Sequence, residues 1–173
     1  MSDVTNAIMD AAERRMRTGG FKGFSFRDIA ADVGVKSSSV HYHYPTKDKL
    51  AAAVVRRYAD NVRALMDKES KTGADPSVVW ARAFRSTLYS EGRMCPATVL
   101  GAGSLDLPEE VAVEVQGFFE MCVERLIAGG LSPKSAAELL ARITGAMVVA
   151  RALNDISAYD RATSELIGDV VVH

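Results

Sequence analysis

The segment from Phe24 to Lys47 constrains the fold more strongly than any other part of this 173-residue chain. Ser25 is a residue type that caps helix starts, and Asp28 stands three positions later, where the acid of a capping box belongs. Gly34 follows the last apolar residue of this helix, where a left-handed residue ends a helix and turns the chain sharply. The sequence therefore predicts a short capped helix, a tight turn, and then room for a second helix.

The second helix is expected from about Ser37 to Tyr44, because Pro45 lacks an amide donor and restricts the residue before it. Val40 and Tyr44 share its inward face, and the remaining positions carry hydrogen-bonding side chains. No acidic residue occurs between Lys36 and Lys47, so nothing in this segment repels a phosphate backbone. Such a pair of helices is typical of a helix-turn-helix that contacts DNA, with Lys47 and nearby backbone amides as phosphate anchors.

The residue order also resembles a known family. Phe-Ser-Phe-Arg-Asp-Ile-Ala, then Val-Gly-Val, then Val-His-Tyr-His-Tyr-Pro-Thr-Lys is similar to the DNA-binding head of the TetR (TetR/AcrR) family of bacterial repressors, over roughly Val4 to Leu50. The resemblance implies that Arg27 reaches a base or phosphate, that residues 37 to 39 enter the major groove, and that further side chains contact phosphates. The candidate DNA-binding residues are Arg27, Lys36, Ser37, Ser38, Ser39, His41, Tyr42, His43 and Lys47.

Two positions depart from the family pattern. Lys36 stands where the family often has a capping serine, and His41 where it often has tyrosine. The extra charge of Lys36 adds one more group for a phosphate contact.

Metal binding and catalysis are not expected. His41 and His43 diverge by about 200° on a helix and cannot hold one ion together. His173 is terminal, and the sequence lacks a phosphate-binding loop motif, an H-E-x-x-H motif and a G-x-S-x-G elbow. We therefore expect no metal, no cofactor and no enzyme activity.

Charge distribution also favours DNA binding at one end of the chain. Although the formal net charge is −1, residues 1–50 hold eight basic against six acidic side chains, whereas residues 51–173 hold thirteen against sixteen. The first thirty residues contain Asp3, Asp10 and Glu13 and show no signal-peptide pattern, and no apolar run reaches membrane-spanning length. These features predict a cytoplasmic protein.

The remaining pattern is helical throughout, with about nine helices and no strand signal, which predicts an all-α fold. The segments outside the helix-turn-helix are expected at about 4–18, 47–71, 76–91, a short helix within 93–106, then 108–128, 133–153 and 158–172. The predicted domains are a DNA-binding domain at 1–46 and a helical effector-binding and dimerisation domain at 47–173.

The last two predicted helices carry more apolar surface than a single chain is expected to bury. Gly145, Ala146 and Ala150 permit close helix approach, while Ile167 and the valines at 170–172 extend the apolar surface. Two such helices can form a four-helix bundle with a twofold mate. The resemblance to TetR-like repressors implies the same homodimer, which would place two recognition helices one DNA turn apart on a palindromic operator.

The middle helices are rich in bulky apolar residues, which line a ligand cavity or form an ordinary core. The resemblance implies a cavity for a small apolar effector whose binding releases the DNA. The candidate ligand-binding residues are Trp80, Phe84, Leu88, Met94, Phe118, Phe119, Met147 and Arg151.

Two other functions remain open on the same scaffold. Cys95 beside Arg93 is a candidate thiol sensor of electrophiles or oxidants, with a buried structural cysteine as the alternative, whereas Cys122 lies on an apolar helical stripe and fits the core. A helical interaction protein that has lost DNA binding is the third hypothesis.

Overall fold

The computed structural model describes residues 3–89, 94–103 and 106–167, and every regular element within them is helical. The all-α fold with nine α-helices in these ranges confirms the predicted fold class. A short 3-10 turn, Phe21–Gly23, follows the first helix. The α-helices are α1 (Asp3–Gly19), α2 (Phe26–Val33), α3 (Ser37–His43), α4 (Lys47–Ser70), α5 (Pro76–Tyr89), α6 (Pro96–Gly101), α7 (Glu109–Ala128), α8 (Pro133–Leu153) and α9 (Ser157–Ile167).

Helix ends follow the local signals in the sequence. The Ser132 side chain accepts a hydrogen bond from the Ser135 amide at 3.1 Å, and Pro133 occupies the first turn of α8. Asn154 ends α8 in the left-handed region, with φ of 49°. These contacts fix where α8 starts and stops without help from the rest of the chain.

Several expected helix ends differ from the structure by one residue: α4 ends at Ser70 rather than residue 71, and α7 begins at Glu109 rather than residue 108. α3 ends at His43 rather than Tyr44, whose backbone is extended because the ring of Pro45 disfavours a helical residue before it. α9 begins at Ser157 and is described as far as Ile167. The predicted extension through the valines at 170–172 lies outside the described residues.

The chain forms two compact units. The first comprises residues 1–60 and 96–118, and the second comprises residues 61–95 and 119–173. Both α4 and α7 therefore contribute residues to each unit. The predicted functional boundary between residues 46 and 47 stays a prediction.

The first unit is built around the inward faces of α1 to α4. Ile8, Ile29, Val40 and Leu50 come from these four helices in turn, and each is completely buried. The short helix α6 packs against α1, and Tyr58 contacts the ring of Phe118 with centroids 5.6 Å apart. This core holds the two helices of the predicted helix-turn-helix against α1 and the start of α4.

The second unit is held together by α5, α8 and α9. The buried Tyr159 hydroxyl of α9 donates a hydrogen bond to the Ala81 carbonyl of α5 at 2.8 Å. Arg85 donates two hydrogen bonds to the Asp160 carboxylate at 2.5 and 2.8 Å. In the described parts of the chain no helix is long and apolar enough to cross a membrane.

Replacing Tyr159 with phenylalanine tests the buried bond between α9 and α5. Because the change leaves the ring in place, we expect it to lower the free energy of unfolding by about 1 kcal/mol. Tyr89→Phe is the matched control, since the half-exposed Tyr89 phenol accepts a hydrogen bond from Arg85 but remains close to water. Urea unfolding should show the larger loss for Tyr159→Phe, and equal losses would contradict the assignment.

Candidate nucleic-acid interface

The start of α2 is fixed by a reciprocal capping box. The Asp28 amide donates to the Ser25 hydroxyl oxygen at 3.2 Å, and the Ser25 amide donates to the Asp28 carboxylate at 2.8 Å. Gly34 then adopts φ of 74°, a conformation that side-chain-bearing residues rarely take. The Val35 amide donates to the Ala30 carbonyl at 3.0 Å, which closes the end of α2. The turn between α2 and α3 is therefore set by local hydrogen bonds.

α3 presents the polar surface that the sequence predicts. Val40 is completely buried, whereas Tyr42 is 84% exposed. Of the candidate DNA-binding residues, six are exposed and three are partly exposed. The exposed residues are Arg27, Lys36, Ser37, Ser38, His41 and Tyr42, and the partly exposed ones are Ser39, His43 and Lys47.

The two histidines of α3 have different neighbours. His41 lies edge-on against the ring of Phe26, with centroids 4.6 Å apart. His43 Nδ1 is 3.2 Å from the Thr5 hydroxyl of α1, so one ring nitrogen is already engaged. Among the described residues no group of three or more His, Cys, Asp or Glu side chains is placed to hold a metal ion.

The acidic side chains of α2 are held as carboxylates by hydrogen-bond donors close to them. Arg15 of α1 donates to Asp32 at 2.6 and 2.9 Å, and this hydrogen-bonded ion pair lowers the pKa of the Asp32 carboxyl. The Ser25 hydroxyl and amide likewise lower the pKa of Asp28. Both carboxylates therefore form hydrogen bonds with residues of the first unit.

Lys47 is held by two aromatic rings that sequence reasoning missed. Its ammonium lies 4.6 Å from the centroid of the Phe21 ring and 4.6 Å from that of the Phe24 ring. Partial burial lowers the pKa of Lys47 below its ordinary value. The spacing Phe21-x-x-Phe24 directly before the α2 cap was the available signal, but only the fold brings these rings to Lys47.

An ionic cluster, also missed from sequence, attaches α4 to α1. Arg57 contacts the Asp10 carboxylate at 2.7 Å and the Glu13 carboxylate at 2.9 Å. Its Nε is buried without a hydrogen-bond partner. Arg17 lies 3.6 Å from Glu13, so two arginines share that carboxylate. The four side chains bind the middle of α4 to the first helix of the head.

The predicted ligand-binding residues are mostly inaccessible to solvent. Six are buried, Phe119 is partly exposed and Arg151 is exposed; the buried residues are Trp80, Phe84, Leu88, Met94, Phe118 and Met147. Trp80 lines a cleft of about 210 Å³ in the second unit. Leu88 and Arg151 line a separate hollow of about 130 Å³ at the end of α8.

Both cysteines are buried. Burial raises the pKa of the Cys122 thiol, and the nearby Cys95 adds to that shift. A raised pKa keeps a thiol protonated and unreactive at neutral pH. Arg93, the predicted activator of Cys95, lies outside the described residues.

Comparison with known proteins gives a family match and a shared fold. Residues 8–54 match the family described as bacterial regulatory proteins, tetR family. No curated protein matches the chain. A TetR transcriptional regulator from Legionella pneumophila is 24% identical, with a TM-score of 0.87 and 96% of each chain covered.

Two further structures extend the comparison. A TetR-family transcriptional regulator from Agrobacterium tumefaciens is 26% identical, with a TM-score of 0.85 and 95% of each chain covered. The multidrug binding protein EbrR, solved in complex with malachite green, is 23% identical with a TM-score of 0.70, covering 95% of this chain and 96% of EbrR. The fold implied by the sequence resemblance is therefore confirmed.

Replacing Ser25 with alanine tests the cap that positions α2. Loss of the capping hydroxyl is expected to lower the free energy of unfolding by about 1 kcal/mol. Ser38→Ala is the control because Ser38 is exposed on α3, and its effect is expected within about 0.5 kcal/mol. Similar losses for both variants in urea unfolding would exclude a stabilising cap at Ser25.

The Ser25→Ala effect should also depend on pH. The Asp28 pKa is lowered from its ordinary value of 3.8, first by the Ser25 hydroxyl and then by the Ser25 amide. A lowered folded-state pKa contributes stability above the unfolded value, and this contribution is lost as pH falls through the folded-state pKa. The difference between parent and variant should shrink on acidification below pH 3.8, whereas a constant difference would contradict the coupling.

Proposed function

The chain belongs to the TetR family of bacterial regulatory proteins, and we propose that it is a DNA-binding transcriptional repressor released from its operator by a small apolar ligand. The observation that carries this proposal is the exposed face of α3, polar and without carboxylates, on a helix whose turn is fixed by local hydrogen bonds. Because it is proposed to bind DNA, we also propose that the protein acts in the bacterial cytoplasm. Regulation rather than catalysis is the proposed activity.

The proposed DNA contacts form two groups, one that reads base edges and one that binds phosphates. Residues 37 to 39 enter the major groove, where serine hydroxyls donate to or accept from base edges, and Arg27 contacts a base or phosphate. Tyr42, His43 and Lys47 bind phosphates, with Lys36 adding one more contact. His43 uses Nε2, because its Nδ1 is held by Thr5.

A homodimer is the proposed form. α8 exposes a stripe of small and apolar side chains along one side, and Val148 and Val149 on it are about half exposed. The stripe consists of Ala141, Gly145, Val148, Val149 and Ala152. Of the small residues expected there from sequence, Gly145 belongs to it, whereas Ala146 and Ala150 are buried inside the protomer and are not available to a second copy. We propose that a second copy covers it, because small residues permit close helix packing and a twofold dimer matches a palindromic operator.

The effector is supported less directly. EbrR was solved with malachite green, a small molecule, bound. The buried bulky residues predicted as its site, with Arg151 as a polar group, remain our proposal for where an apolar effector acts. Binding must favour the DNA-incompetent arrangement in order to release DNA.

The alternative functions receive less support. A thiol sensor needs an accessible cysteine of low pKa, but Cys95 and Cys122 are both buried. A protein that has lost DNA binding would have no reason to keep Arg27, Tyr42 and Lys47 at the surface of the head.

DNA binding is tested first with Lys47→Ala. A duplex selected from a random DNA pool and a scrambled duplex are titrated at several salt concentrations. Losing one phosphate contact should weaken binding to both duplexes by a similar factor and reduce the salt slope by about 0.9. Ser38→Ala should instead weaken binding to the selected duplex alone.

Lys134→Ala is the matched control for charge. Lys134 lies exposed on α8, and its removal changes the net charge by the same amount as Lys47→Ala. It should leave the salt slope unchanged. Uniform effects from Lys47→Ala, Ser38→Ala and Lys134→Ala would exclude the proposed division into reading and anchoring residues.

The dimer is tested with Val148→Asp. A charge placed in the stripe has no partner in an apolar interface, so sedimentation velocity should show a shift from dimer to monomer. Val113→Asp on α7 is the control, since Val113 is 60% exposed and lies outside the stripe. A monomeric parent protein, or loss of the dimer in both variants, would argue against an interface through α8.

A further inference from the structure

An open cleft of about 210 Å³ lies in the second unit, where the end of α4, the start of α5 and the end of α7 meet. Its lining is largely apolar. Met66 and Trp80 form buried parts of the lining, while Pro76 and Val79 of α5 are partly exposed walls. The cleft contains only Trp80 of the residues predicted for ligand binding, so the sequence did not anticipate it.

The walls of this cleft are stiff. A Cβ atom placed on Gly129 would lie 2.9 Å from Pro76 Cγ and 3.2 Å from its Cβ, closer than packing allows. The backbone at Gly129, just after α7, therefore packs directly against the Pro76 ring at the first turn of α5. Because neither group can change rotamer freely, the cleft is formed before a ligand arrives.

One cation faces the cleft. Among its described lining residues, Arg125 is the charged one. The Arg125 guanidinium contacts the Asp67 carboxylate through both terminal nitrogens, one of them at 3.3 Å. The Asp67 side chain is 50% exposed and is not part of the lining, and ion pairs this exposed contribute little to stability. A ligand carboxylate can therefore compete with Asp67 for a planar group that binds carboxylates in two-point fashion.

Volume and shape restrict the rest of the ligand. An apolar cavity of about 150 Å³ holds a benzene molecule, so this cleft has room for one aromatic ring with a small substituent. Trp80 is the aromatic residue in the lining, and aromatic rings pair favourably in offset-stacked or edge-to-face contacts. We propose that the cleft binds a monocyclic aromatic carboxylate, with the ring against Trp80 and the carboxylate on Arg125.

Ligand binding in this cleft could also change DNA binding through α4. This coupling between ligand and DNA rests on the proposed function. Asp67 belongs to α4, the helix that begins at Lys47. A ligand that takes over Arg125 removes the ion pair between α4 and α7. Met66 and Ser70 of α4 also line the cleft, so the ligand favours the arrangement of α4 that fits its contacts best, and this preference is the proposed route to DNA release.

Binding is measured through Trp80, which is the sole tryptophan of the chain. Its fluorescence in the full-length protein is titrated with benzoate, the neutral analogue benzamide and the cationic analogue benzylamine. Benzoate should give a saturable change, benzamide should bind at least about tenfold more weakly because it lacks the charge-assisted bond, and benzylamine should give none. Equal affinities for benzoate and benzamide, or no saturable response to benzoate, would overturn the proposal.

Three variants test whether Arg125 is the residue that binds the benzoate carboxylate. Arg125→Met should reduce benzoate affinity about tenfold or more, while Asp67→Asn should increase it by removing the competing carboxylate. Arg142→Met is the matched control, because Arg142 makes an exposed pair with Glu165 at 3.1 Å and does not line the cleft. Should Arg125→Met fail to fold, unchanged benzoate affinity in Asp67→Asn would still overturn the proposal, as would an equal loss in Arg142→Met.

A DNA measurement separates this inference from the proposed function. Operator affinity is measured with and without saturating benzoate, and release by at least about tenfold supports the coupling. A normal Trp80 titration in a chain that does not bind DNA would defeat the proposed function and leave the binding site standing. A normal titration with unchanged operator affinity would overturn the route through α4.

Discussion

The attachment of α4 to α1 by Arg57 is the constraint on which the rest of the head depends. One guanidinium contacts both Asp10 and Glu13, which lie three residues apart on one face of α1. Removing Arg57 would leave two carboxylates facing each other, with only Arg17 near Glu13. The cluster joins the middle of α4 to α1, and Lys47 at the start of the same helix lies beside Phe21 and Phe24.

This clustering also explains how a nearly neutral head can present a basic surface. Its acidic residues are engaged from within the head: Asp10 and Glu13 by Arg57, and Asp32 by Arg15. Arg27 and Lys36 are both exposed, and no carboxylate occurs in the sequence between Asp32 and Asp48, the stretch that contains α3. The sign of the local potential is therefore set by where the pairs form rather than by net charge.

The features that could be predicted from sequence are those decided within a few residues. Ser25 with Asp28, Gly34, Pro45, and Ser132 with Pro133 each fix a helix end through local hydrogen bonds or sterics, and each does so in the structure. The Lys47 rings, the Arg57 cluster and the cleft depend on side chains more than twenty residues apart. Helical periodicity shows which face of each helix is buried but not which face it meets. For this reason the exposed DNA-binding candidates were accessible to sequence reasoning, whereas their supports and the cleft were not.

Ligand binding has a different conformational cost at the two candidate locations, the buried residues predicted from sequence and the open cleft. Phe84 and Met147 are packed among other side chains, so a ligand reaches them only if helices separate and apolar contacts are lost. Opening the helices offsets part of the binding free energy, so such a ligand must regain it through apolar contacts. The cleft at Trp80 and Arg125 is already open and needs only the exchange of one exposed ion pair. The proposed carboxylate ligand would therefore bind there at little conformational cost, and the two proposed sites would select ligands of opposite character.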